Sequence, residues 1–333
     1  MTKKIIILIA VVVVILAAGA YCFLAQEESE KTYRIGILAG VEVITPIADS
    51  FKAEMAELGY IEGENIAYDI QVTNIEPDKE KEILQGFVDS GVDLIFTFPT
   101  EVSMFAKEIA ENTGIPVLFA FANIEDTGLV DNITNPGGNI TGVRYPGPDL
   151  IVKRLEIMED LIPGIKAIWV PYQKDYPIVP SQLEVLRPAA LEAGITLIEF
   201  PGSGGEDLQA ELDRLSELEN IGIDAILSLA DPYAIVPEFF MPIAKFATEN
   251  SILMGGNYMS VGGYESIFGV TVNLETTGQQ AAAQANKILS GVPAGTIPVV
   301  SSENYFVFSY RGAEALGIDI PVGLLSQADE IIR

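Results

Sequence analysis

The chain of 333 residues carries 47 acidic against 19 basic side chains, a net charge of −28, with 49% apolar and 20% charged residues. That balance repels a phosphate backbone and excludes nucleic acid as a partner; the composition is globular, and the length suggests two domains. With no histidine and a single cysteine, the chain lacks Ser-His-Asp and Cys-His machinery, histidine-bearing or clustered-thiolate metal sites and internal disulfides. Binding is expected rather than catalysis, with no metal and no cofactor.

Residues 5–24 read IIILIAVVVVILAAGAYCFL behind Lys3 and Lys4. A helix of that length spans about 30 Å, the thickness of a bilayer core, and lysines before it keep the N-terminus cytoplasmic. Three outcomes compete: an uncleaved membrane helix, which is favoured, a lipoprotein signal ending at Cys22, and full secretion. Each places the rest of the chain outside the cytoplasm. Segment 1–24 is therefore a signal anchor or lipoprotein signal, and the polar run 25–31 is a linker.

From Tyr33 onward, short apolar β-rich runs alternate with amphipathic ones. The predicted strands are Arg34–Leu38, Ile66–Val72, Leu94–Phe98, Val117–Phe121 and Ile140–Val143. After a helix near 149–161 the pattern restarts with Ala167–Val170, Thr196–Phe200, Ala225–Leu229, Ile252–Met254 and Phe268–Val272. The spacing leaves room for one helix per crossover, so each half reads as an α/β doubly wound parallel sheet. Thr45-Pro46 and Asp231-Pro232 read as helix caps, with proline in the first helical position.

No G-x-G-x-x-G or P-loop spacing occurs, so no dinucleotide or phosphate loop is expected. Ligands of doubly wound sheets bind at the strand C-termini. There, Thr97-Phe98-Pro99-Thr100 either presents hydroxyls and free helix N–H groups to an anionic or strongly accepting group, or Thr100 only caps its helix. Asp231 either counters a ligand amine or caps its helix. Tyr172, Tyr176, Tyr233, Tyr258 and Tyr264 fall in or beside second-half loops, and some of them should cover a planar or apolar body. Asn123 and Asn257 lie in the same set of loops.

The segments RIGIL, ELGYIEGENI, IPVLFAFA, DTGLVDNITNPGGNITGV, GGYESIFGVTVNLETTGQQAA and LGIDIPVGLLSQADEII run from about residue 33 to 331. In them the chain resembles the ABC-transporter substrate-binding proteins of the tryptophan/tyrosine-transport type, a periplasmic-binding-protein-like family. The resemblance implies a two-lobed type I-like fold with three hinge crossings. Lobe 1 would hold 32–142 plus 273–300 and lobe 2 would hold 143–272 plus 301–333. The crossings are expected at Ile140–Val143, Phe268–Val272 and Val299–Ser302.

Several positions depart from the family pattern. Thr97-Phe98-Pro99 stands where the family usually has Gly-Thr-Pro, Asn123-Ile124 where it has Asp-Pro, and Tyr264 where it has a small residue. Asp231 matches the family's acidic residue. The expected ligand set is Thr97, Phe98, Thr100, Asn123, Tyr176, Asp231, Asn257, Tyr258 and Tyr264. The expected role is a monomeric, membrane-tethered receptor passing an amino acid or related zwitterion to an ABC permease and its ATPase. The alternative is a tethered sensor that presents its closed form to a signalling partner.

Overall fold

A computed structural model describes residues 31–333. The apolar segment 5–24 and Cys22 lie outside the described residues. Among those described, no helix is long and apolar enough to cross a membrane.

The first sheet is built from β1 (Tyr33–Ala39), β2 (Ile66–Val72), β3 (Leu94–Phe98), β4 (Val117–Ala122) and β5 (Ile140–Arg144). Three helices connect its strands: α1 (Pro46–Glu57), α2 (Pro77–Ser90) and α3 (Thr100–Ile109). These strands pair in parallel in the order β2-β1-β3-β4-β5. β3 is buried at all five positions because helices cover both sheet faces, whereas β2, on the edge, is largely exposed.

The chain then enters the second lobe through α4 (Gly147–Leu161). Its sheet continues with β6 (Ala167–Gln173), α5 (Val179–Glu192), β7 (Thr196–Gly202), α6 (Gly205–Ser216) and β8 (Ala225–Leu227). Next come α7 (Pro232–Ile235), α8 (Pro237–Glu249), β9 (Leu253–Gly256), a small hairpin of β10 (Ser260–Val261) and β11 (Tyr264–Glu265), and β12 (Phe268–Val272). The order β7-β6-β8-β9-β12 repeats that of the first sheet, so the expected repeat of architecture is present.

α9 (Leu274–Leu289) returns to the first lobe. It packs so closely on α1 that a Cβ at Gly278 would strike Ser50, Ile47 and Phe51. β13 (Val300–Ser301) then pairs beside β5, and β14 (Asn304–Ser309), α10 (Tyr310–Ala315), α11 (Val322–Leu325) and β15 (Glu330–Ile332) finish the second lobe.

The second sheet corrects the expectation of two wholly parallel sheets, because β14 pairs antiparallel with β12. β12 runs toward the waist to leave the lobe and β14 enters from the waist, so the two must point in opposite directions. The three segments expected to cross the waist also need correction. Ile140–Val143 lies wholly within the first sheet and Phe268–Val272 wholly within the second. The passages begin just after them, at Tyr145–Pro146 and Asn273, and the third falls at Ser302–Glu303. Arg144 still pairs with Ser301 in the first sheet. A crossing starts only where the ladder partners run out.

Candidate functional site

The C-terminal ends of the central strands of both sheets face one another across the waist. Two compartments lie between them. The inner one, about 30 Å³, is lined by Thr100, Phe121 and Asn123 from the first lobe, Tyr145 at the crossing, and Tyr176 and Asn257 from the second. The outer one, about 830 Å³, is mostly apolar, with Val41 and Ile75 on one side and Val236, Phe239 and Met259 on the other. Ile235 borders both compartments.

Local backbone geometry aims the inner residues. The β4–β5 register shifts between Ala120 and Ala122, and Phe121 between them takes φ +50°, a left-handed conformation that phenylalanine rarely adopts. Such strain costs on the order of 1–3 kcal/mol and collects at functional sites. The bulge brings the Phe121 ring to 4.9 Å from that of Tyr145 and delivers Asn123 to the waist. The Asn123 side chain is buried. Its Oδ1 accepts from the Gly147 N–H at 3.1 Å, while its Nδ2 has no partner. A side chain at position 147 would collide with it.

Asp231 sits at the head of α7, between Ala230 of the inner compartment and Pro232 of the outer. Its expected capping bond is not made. Oδ2 instead accepts from the Gln173 N–H at 2.6 Å, closing the gap between the ends of β6 and β8. Oδ1 is buried and has no partner. Desolvation pushes this carboxyl up to about 7, against the lowering effect of the Gln173 N–H and of the Ala234 and Tyr233 N–H groups, which lie near it in the first turn of α7 without meeting hydrogen-bond geometry.

Asn257 is held from behind. Its Nδ2 donates to the Leu229 carbonyl at 2.7 Å, and its Oδ1 accepts from Arg154 Nη2 at 2.8 Å. Arg154 is fully buried and also donates to the Val270 carbonyl and the Tyr145 hydroxyl. It ties α4, β12 and the first crossing to the floor of the inner compartment. Sequence reasoning missed it, although a signal existed: Arg154 falls on the same helical stripe as Ile151, Leu155 and Met158. Glu101 was missed as well. It lies in the first turn of α3 with Oε1 buried and unpartnered, and burial raises its pKa despite hydrogen bonding to Tyr176.

The remaining expected residues are placed otherwise. The Thr97 hydroxyl donates to Ser103 Oγ at 3.0 Å and is fully buried within the first lobe. Phe98 is equally buried, its ring 5.2 Å from that of Phe96, in the core under the sheet. The side chain of strand residue 97 or 98 belongs to a covered sheet face, so neither reaches the compartments. Thr100 does border the inner compartment, but its hydroxyl accepts from the Asn123 N–H at 3.0 Å and braces the first lobe. Tyr258 donates to Glu265 at 2.8 Å, beside Arg311, and Tyr264 packs on the second lobe's core; neither lines a compartment. Asn123, Tyr176, Asp231 and Asn257 are therefore the expected residues that the fold gathers, with Thr100 at their edge.

The family described as ABC transporter substrate binding protein matches residues 36–332. A tyrosine-binding protein of Clostridioides difficile (strain R20291) is 26% identical over 278 residues, 82% of this chain and 77% of that protein. Among solved structures, a conserved domain protein from Vibrio cholerae superposes with a TM-score of 0.79 at 23% identity, covering 90% of this chain and all of the other. An ABC domain from Streptococcus pneumonia in complex with L-Trp gives a TM-score of 0.78 at 22% identity, covering 91% of this chain and all of that one.

Proposed function

The chain belongs to the family of ABC transporter substrate-binding proteins, and we propose that it is the extracytoplasmic receptor that delivers an amino acid or related zwitterion to an ABC importer. One observation carries the choice of ligand. Asn123 Nδ2 in the first lobe and Asp231 Oδ1 in the second are a buried donor and a buried acceptor, each without a partner. A zwitterion satisfies both: its carboxylate accepts from Asn123 and the N-terminus of α3, and its ammonium donates to Asp231. Arg154, behind Tyr145 and Asn257, adds positive potential at the carboxylate end. The relatives support the same class, one being a tyrosine-binding protein and another holding L-Trp.

A space of about 30 Å³ holds roughly one water, far less than an amino acid. The lobes must therefore part for entry and close around the ligand, a population shift about the three crossings. The closed form is what a membrane permease would read, with residues 1–24 tethering the receptor beside it.

The test is calorimetric titration of the full chain, purified in detergent, with L-tyrosine, L-tryptophan and other amino acids, followed by capture of a permease from solubilised membranes. Saturable binding and recovery of a permease with its ATPase are expected. Absence of binding by every amino acid would remove the zwitterion, and recovery of a kinase without a permease would remove the importer.

A further inference from the structure

The cleft carries more acid than one ligand ammonium requires. Glu101 stands in the first turn of α3, on the first lobe, with Oε1 buried and unpartnered. Across the waist, burial and the neighbouring carboxyls of Glu101, Asp231 and Glu80 raise the pKa of the second lobe's Tyr176 hydroxyl. Glu80 is already engaged: its Oε1 accepts from the Thr73 hydroxyl at 2.8 Å and from the Glu76 N–H at 3.2 Å. Glu101 Oε1 and Asp231 Oδ1 have no partner. Glu42 and Glu238 line the outer compartment, and among the described residues no lysine or arginine lines either compartment.

Arg154, behind the floor, is engaged by the Val270 and Ser228 carbonyls, Tyr145 and Asn257. Arg144, at the waist, is engaged by Glu125, Asp149 and Ser301. Neither cation neutralises the two half-satisfied carboxyls. A buried carboxylate without a cation is strongly unfavourable, so the missing charge has to arrive with the ligand or as a proton. A cleft lined by one sign of charge also concentrates ligands of the other.

We infer that Glu101 is a second ligand-binding carboxylate, which receives a cationic group carried by the ligand in addition to the ammonium held by Asp231. The ligand class is then an amino acid with a positively charged side chain. This inference rests on the amino-acid reading above and narrows it.

The experiment compares L-lysine, its uncharged analogue L-norleucine and 1,5-diaminopentane, titrated calorimetrically into the full chain in detergent and into its Glu101→Gln variant. Gln keeps the shape and the acceptor oxygen, and its folding is checked by thermal unfolding. The wild type should bind L-lysine at least about 10-fold more tightly than L-norleucine, as expected for one charge-assisted hydrogen bond. Glu101→Gln should erase that preference and leave L-norleucine within about 3-fold. Tighter binding of L-norleucine by the wild type would overturn the inference while leaving the amino-acid reading intact. So would an equal loss for both ligands in Glu101→Gln, which would make Glu101 a structural residue. Should that variant fail to fold, Glu101→Ala and Tyr176→Phe decide by the same lysine-to-norleucine ratio. Binding of 1,5-diaminopentane alone would remove the zwitterion and keep Glu101, and no binding by any of the three would remove both.

Discussion

The two lobes solve the same topological problem with different atoms. Each sheet has a switch point where the strand order reverses, between β1 and β3 in the first lobe and between β6 and β8 in the second. In the first lobe the gap is closed by backbone, the Gly40 N–H donating to the Phe98 carbonyl at 2.8 Å. In the second it is closed by a side chain, Asp231, which uses one oxygen on Gln173 and leaves the other free. The first lobe's hydroxyls at Thr97 and Thr100 are likewise taken up within that lobe. On the proposed reading, a residue serves as a ligand group only where its own lobe leaves part of its hydrogen-bonding capacity unused.

The sharpest way to break this comparison is to remove the support beneath the second lobe's face. Arg154→Met leaves the Val270 carbonyl, the Tyr145 hydroxyl and Asn257 Oδ1 without their donor, and should lower stability by about 3–5 kcal/mol. Thermal unfolding of the full chain in detergent measures it; an unchanged midpoint would show that the floor stands without the arginine.

The next effect concerns pH. The Asp231 carboxyl, pushed up to about 7 by burial, holds a proton in the native state that the unfolded chain has released. Stability of the unliganded protein should therefore fall as pH rises from about 4 to about 7. Asp231→Asn should remove that loss and stabilise the unliganded protein at pH 8 by on the order of a few kcal/mol. Parallel stability–pH curves for the two proteins would contradict the assignment.

Affinity gives a smaller but more specific contrast. Asp231→Ala removes a charge-assisted hydrogen bond worth roughly 1.5–3 kcal/mol and should weaken a bound amino acid about 10- to 150-fold by calorimetry. Thr97→Val, on β3 of the first lobe, should cost about 1 kcal/mol of stability and leave affinity unchanged, because its hydroxyl serves Ser103. A fall in affinity for Thr97→Val comparable to that for Asp231→Ala would abolish the distinction between the lobes. The smallest effect is expected from Tyr258→Phe, which loses a bond to Glu265 away from the compartments and should keep affinity within about 2-fold.

Much of the fold was legible because strand runs covered on both faces are apolar throughout. LIFTF is wholly buried as β3, and Ile66–Val72 is a strand with the same bounds as expected. β14 escaped notice because its direction depends on where the third crossing returns, which no local pattern encodes. Within the site, Asp231 stood out by its place after a strand and before a proline. Glu101, next along the chain from Thr100, looked like an ordinary acidic residue in a first helical turn. Thr97 and Phe98 were misjudged for a geometric reason: alternation along a strand decides which face each side chain meets, and both faces of this sheet are covered.

The sequence by itself determined the two-sheet α/β architecture, the end of each sheet at which the candidate site lies, and a strongly acidic composition without histidine chemistry. Those features follow from periodicity, composition and residue type, which act locally and are written along the chain. Only the tertiary structure decided which polar groups remain for a ligand. Whether a donor or acceptor is satisfied depends on partners far away in sequence: Gln173 for Asp231, Gly147 for Asn123 and Val270 for Arg154. Burial then makes it costly to leave the unsatisfied remainder, Asn123 Nδ2, Asp231 Oδ1 and Glu101 Oε1, unpaired.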